Sequence, residues 1–164
     1  MRNLLVLSVF LFASCTPVAT YPPIETDAAL SFADSSNEPV PTILAEVITY
    51  AHEHFGGMEV IVFNLPEGIN ATTYDIVSEK LGGALPMKTL NQIAYHIIEL
   101  RVRGFDADAD ILFPTTSGGY GLATIHLDSS LFNAWAVTRD RVWLIPTNSP
   151  PPPHYEVIEL FESE

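Results

Sequence analysis

Tyr95-His96-Ile97-Ile98-Glu99-Leu100-Arg101-Val102-Arg103-Gly104-Phe105-Asp106-Ala107-Asp108-Ala109-Asp110 is the stretch whose reading decides the fold. Two runs with a side-chain period of two meet at a Gly-Phe turn, the pattern of a β-hairpin. A two-residue turn at Gly104-Phe105 sets Arg103 against Asp106 and Arg101 against Asp108. A four-residue turn sets Arg103 against Asp108 and Arg101 against Asp110. Either register places arginines opposite aspartates on one face, and Leu100 and Val102 opposite alanines on the other. The first strand starts buried on both sides and ends half-solvated.

Outward from this hairpin, the strands are expected over residues 92–103, 108–113, 120–127 and 134–145. Turn-rich segments separate them, at Pro114 to Gly119 and at Asp128-Ser129-Ser130. Such short connections favour an antiparallel meander. Before it, Ile43, Leu44, Val47, Ile48, Ala51 and Phe55 fall at helical spacing, with Thr42 as N-cap and Gly56-Gly57 as the stop. Met58 to Phe63 reads as a strand. Thr72 to Leu81 reads as a second helix, with Thr72 and Asp75 as a capping box and Gly82-Gly83 ending it. The expected fold class is α+β: two helices packed on a four- to five-stranded, mainly antiparallel sheet. That order of elements is broadly similar to cystatin-like and nuclear-transport-factor-2-like folds, an analogy of architecture that implies no activity.

The chain has 164 residues, seven Lys plus Arg against twenty Asp plus Glu, and a formal charge of −13. That charge repels nucleic acid, so nucleic acid is not an expected partner. The single cysteine, Cys15, cannot form an internal disulfide. It follows Arg2 and the apolar run Leu4 to Phe12, which is too short to span a bilayer and has the form of a secretory signal peptide. Phe12-Ala13-Ser14-Cys15 resembles the lipobox of bacterial lipoproteins, with Phe12 where Leu is usual. The resemblance implies that residues 1–14 are removed and that Cys15 is acylated, by diacylglycerol on sulfur and by a fatty acid such as palmitate on the amine. The protein would then be held to a membrane of the cell envelope, the outer membrane facing the periplasm in a Gram-negative cell. Residues 15–41 are read as lipidated Cys15 and a tether. Pro17, Pro22, Pro23, Pro39 and Pro41 and four acidic residues keep the tether extended, so that the domain floats off the membrane. Residues 42–147 form the domain and residues 148–164 an acidic tail. In the tail, Pro150 to Pro153 make a stiff rod before Val157, Leu160 and Phe161. The tail is a disordered end, a helix folding back, or a peptide offered to a partner.

Candidate chemistry is sparse. Asp106, Asp108 and Asp110 begin like a calcium loop, but Ile111 stands where Gly is needed and Ser117 where Glu is needed, so cross-strand ion pairs are expected instead. His52 and His54 are two apart and diverge on a helix, unlike zinc-protease histidines. His96 and His126 lie on strands and could converge with them. Arg101, Arg103, Arg139 and Arg141 make a candidate ligand or ion-pair patch if their strands adjoin. There is no Gly-x-Ser-x-Gly and no phosphate-binding glycine loop. The sequence therefore points to a non-enzymatic, partner- or ligand-binding envelope module, with no catalytic residue, metal or cofactor expected. The alternative is a small-molecule carrier or enzyme with a pocket between helix and sheet.

Overall fold

The computed structural model of the chain describes residues 18–24, 34–147 and 149–155. Cys15, the signal segment and the end of the acidic tail lie outside the described residues. In chain order the elements are β1 (Val18–Tyr21), α1 (Val40–His54), β2 (Val62–Asn64), α2 (Ala71–Lys80), β3 (Leu85–Pro86), β4 (Tyr95–Arg103), β5 (Asp106–Pro114), β6 (Tyr120–Asp128) and β7 (Ala136–Thr147). The protein is thus α+β, with two helices on one mixed, mostly antiparallel sheet ordered β3-β2-β4-β5-β6-β7. The sheet has more strands than the sequence suggested. No helix among the described residues is long and apolar enough to cross a membrane.

The central hairpin takes the two-residue turn: Arg103 lies opposite Asp106, Arg101 opposite Asp108, Val102 opposite Ala107 and Leu100 opposite Ala109. Gly104 adopts a φ of 64°, which only glycine adopts freely at such a turn. β5, β6 and β7 continue the meander. Ahead of the meander, the strand expected over Met58 to Phe63 is shorter and begins later. β2 is a short strand running parallel to β4, with Phe63 opposite Tyr95 and Asn64 opposite His96, and β3 runs parallel to β2.

β1 falls in the segment expected to be an unpacked tether. It runs antiparallel to β4, from Val18 opposite Arg103 to Tyr21 opposite Leu100. Since β5 occupies the other side of β4, β1 and β2 share one edge of β4, each covering part of its length. Open ladder groups on β4 supply the reason for this pairing, and burial of Ala19 and Tyr21 adds to it. Pro23 then rests on Gly68, where a Cβ would lie 2.7 Å from its ring. Asp34 accepts a hydrogen bond from the Asn70 amide at 2.9 Å, and the Ser35 and Thr73 hydroxyls are bonded at 2.8 Å.

α1 starts two residues before the expected Thr42, with Pro39 at its N-cap and no side-chain cap. Pro41 suits the first turn, where its missing N–H goes unneeded. Thr42 instead accepts from Lys80 at 3.0 Å. α2 is capped by Asn70, whose side chain accepts from the Thr73 amide at 2.8 Å, rather than by Thr72. Val40, Ile43, Leu44, Val47, Ile48 and Ala51 of α1 are buried against the sheet. They meet Leu100, Ala109, Ile111, Ala123 and Ile125 in one core together with Tyr74 and Val77 of α2. The space between helices and sheet is therefore filled with side chains.

At the end of the sheet near the 115–119 turn, the Phe113 ring lies directly over Gly121, its cross-strand partner, and Phe55 packs on it at 4.6 Å between centroids. A Cβ at Gly121 would collide with that ring. Gly121→Ala should therefore destabilise the protein by about 1–3 kcal/mol, read as a lower urea midpoint. Adding Phe113→Leu should recover part of the loss.

Candidate functional site

The face of the sheet away from the helices is polar. Its rows carry Glu99, Arg101 and Arg103 on β4, Asp106, Asp108 and Asp110 on β5, and Thr124, His126 and Asp128 on β6. Arg139, Arg141 and Trp143 follow on β7. Two strands separate β4 from β7, so the four arginines do not form one patch. At about 4.8 Å per strand the two pairs stand roughly 14 Å apart.

The aspartates between them are engaged. Arg101 contacts Asp110 at 3.1 Å and Glu99 at 2.9 Å, one position diagonal to the directly opposed Asp108. Partial burial works against the Arg101 charge, but Asp110 and Glu99 outweigh it and hold the guanidinium more basic than usual. Asp110 also accepts from the Thr124 hydroxyl. Asp108 contacts Nδ1 of His126 at 2.7 Å, and Nε2 of the same ring contacts Asp128 at 2.9 Å. A hydrogen bond from Thr138 chiefly, with help from Asp106 and His126, holds Asp128 below the usual carboxylate range. On the helix side of β7, between the two arginines in sequence, Asp140 accepts from the Tyr50 hydroxyl of α1 at 2.8 Å.

Of the four arginines on this face this leaves Arg103, Arg139 and Arg141 without a carboxylate partner among the described residues, the last two together on β7. Arg141 lies 5.2 Å from the Trp143 ring centroid, within cation–π range. The Trp143 indole N–H donates to Thr124 at 3.0 Å, which fixes the ring. Together with residues Asp108, Thr124, His126 and Asp140, Arg139, Arg141 and Trp143 line an open cleft of about 370 Å³. β7 pairs only with β6 among the described residues, so its other edge keeps free backbone donors and acceptors. On the opposite side of β7, Val142 and Leu144 are exposed, Leu144 almost completely at 98%.

The calcium-loop aspartates lie on a strand, and strand alternation interleaves them with buried alanines. Of the three, only Asp106 joins a set with ligand spacing: one ligand atom each from Asp106, His126 and Asp128 falls within 4.8 Å of the others. Both ring nitrogens of His126 already meet carboxylates, so a metal would have to displace an existing contact.

The histidines do not converge. His52 bonds the Tyr95 hydroxyl at 3.3 Å, and His54 bonds the Tyr50 carbonyl at 3.0 Å while stacking on the Tyr50 ring. His96 is fully buried, flanked by the Asn64 amide and the Tyr120 hydroxyl, each at 3.4 Å. Its setting includes residues that sequence reasoning missed. Asn64 also donates to the Pro152 carbonyl at 2.8 Å and accepts from the His154 N–H at 3.0 Å, fastening part of the tail to the domain. A second cleft, of about 510 Å³, lies between this tail segment and residues 67–71, without a convergent set of ionisable groups.

Desolvation first, and the neighbouring His154 second, push the His96 pKa from 6.5 down to about 4. The folded state keeps this ring neutral at a pH where the unfolded chain takes up a proton. Stability should therefore fall as pH drops from 6.5 toward 4, by no more than about 3.5 kcal/mol at about 1.4 kcal/mol per unit. Urea midpoints at pH 6.5 and 4.5 check this, and His96→Gln should show a smaller difference between them.

No family model, curated protein or solved structure matches this chain.

Proposed function

We propose that this protein is a lipid-anchored envelope protein whose domain is a non-enzymatic binding module for an extended, acidic segment of a partner. The observation that carries this reading is the pair Arg139 and Arg141, without carboxylate partners among the described residues, on the open edge strand β7 of a chain with a charge of −13. A strand added along β7 would find backbone partners there. Alternate side chains of that strand would meet the two guanidiniums on one face and Val142 and Leu144 on the other. An acidic and apolar alternation fits both. The packed space between helices and sheet gives the alternative, a carrier or enzyme with an internal pocket, no support.

The anchor rests on the resemblance of Phe12-Ala13-Ser14-Cys15 to a lipobox. Cys15→Ser should move the protein from the membrane fraction to the soluble one; unchanged partitioning into detergent would refute the anchor.

For the module, a (Glu-Val)3 peptide titrated against the full chain should shift tryptophan emission, while a (Lys-Val)3 peptide should not. Charge-assisted contacts of about 1.5–3 kcal/mol each predict that Arg139→Ala with Arg141→Ala weakens binding at least tenfold. Arg103→Ala, on the far strand, should leave it unchanged. Equal affinity in the double variant would rule out this reading.

A further inference from the structure

The two long hairpins of the meander end at the same edge of the molecule. The β4–β5 turn presents Phe105, 53% exposed, and the β6–β7 loop presents Leu131 at 81% and Phe132 at 95%. The two tips are joined, because the Ser129 N–H donates to the Phe105 carbonyl at 2.8 Å. The loop itself is built: Ser130 accepts at its side chain from the Phe132 and Asn133 amides at 3.3 and 3.1 Å, holding the apolar pair at the apex. Large side chains this exposed and adjacent on one rim are unusual on a surface that meets only water.

The chain enters the sheet at that same end. Val18 lies opposite Arg103, and Arg103 lies opposite Asp106, the residues that bracket the Phe105 turn. Cys15 precedes Val18 by three residues. At roughly 3.3–3.6 Å per residue, the cysteine stands within about 11 Å of the first residue of β1.

We infer that Phe105, Leu131 and Phe132 form a membrane-contacting rim, seated in the headgroup region of the lipid surface that holds Cys15. The inference rests on the lipid anchor proposed above. It replaces a domain floating on a long tether with one standing upright on the bilayer, the strands running away from the surface. Asp106 and Asp128 lie just behind the tips, so the fitting surface is zwitterionic, since anionic headgroups would be repelled. Aromatic side chains suit the interfacial layer, where they give up water without entering the hydrocarbon fully.

The test uses the acylated protein, from Cys15 onward, in phosphatidylcholine vesicles. An environment-sensitive fluorophore is placed at Phe132→Cys, and in a second preparation at Ser117→Cys in the turn at the opposite end. Cys15, being acylated, does not compete for the label. Doxyl-labelled lipid should quench the Phe132 probe several-fold more than the Ser117 probe. Adding Phe105→Ser and Leu131→Ser should bring the two together. Equal, water-like emission from both probes in protein that still floats with the vesicles would overturn the rim and leave the anchor standing. Protein that does not float with the vesicles would remove the anchor, and the rim with it.

Discussion

The side-chain amide of Asn64 is the constraint on which the arrangement of the β2 side depends. It is 1% exposed and has two donor hydrogens and an oxygen able to accept twice. Pro152 and His96 take the hydrogens, at 2.8 and 3.4 Å, and the Tyr74 hydroxyl and His154 N–H fill the oxygen, at 3.1 and 3.0 Å. One short side chain thereby joins β2, β4, α2 and the proline-rich tail. Because the amide N–H can only donate, it fixes Nδ1 of His96 as an acceptor and leaves the ring proton on Nε2, toward Tyr120. A second proton on His96 would break that set, in keeping with the low basicity of the ring. Buried polar groups that satisfy one another completely specify a single geometry, and here they do so where the strands are shortest.

The outer face shows a different economy of charge. On a chain with so many carboxylates, each basic group would be expected to find an internal partner. Arg101 finds two and Lys80 finds Glu38 at 2.9 Å. His126 sits between Asp108 and Asp128, which takes both acids away from the neighbouring arginine row. The asymmetry of β7 thus follows from what β5 and β6 do with their aspartates. The strand order places that surplus of positive charge at an edge rather than at the centre of the sheet.

The central hairpin was legible because its alternation and its charges agree on the same two faces in either of two registers, and the structure takes the two-residue turn. The apolar face of α1 was legible for the same reason. The parallel strands β2 and β3 were not, since a three-residue and a two-residue strand carry too little pattern to read. β1 was hidden by its surroundings: Val18-Ala19-Thr20-Tyr21 sits among prolines and acids, and only the open upper edge of β4 makes it a strand. The same holds for Pro152 and His154, whose fixed position depends on a residue almost ninety positions away. Of the arginine patch, sequence supplied the right face of β7 and could not supply the strand order that separates it from Arg101. The exposed Leu131-Phe132 apex falls between the turn expected at Asp128-Ser129-Ser130 and the strand expected from residue 134, and its exposure is a property of the folded loop.

β1 also has a mechanical consequence. Any pull applied to the chain ahead of Val18 enters the domain along the strand axis, through the four paired residues Val18 to Tyr21. Tension in that direction loads the backbone bonds to β4 together, in shear, instead of opening them one after another. The next hold behind them is Pro23 on Gly68, followed by the Asp34 and Ser35 contacts to the start of α2. The entering segment therefore works as a graded strain relief, like the clamp on a cable where it meets its housing, and keeps a tug on the N-terminal side from reaching the core.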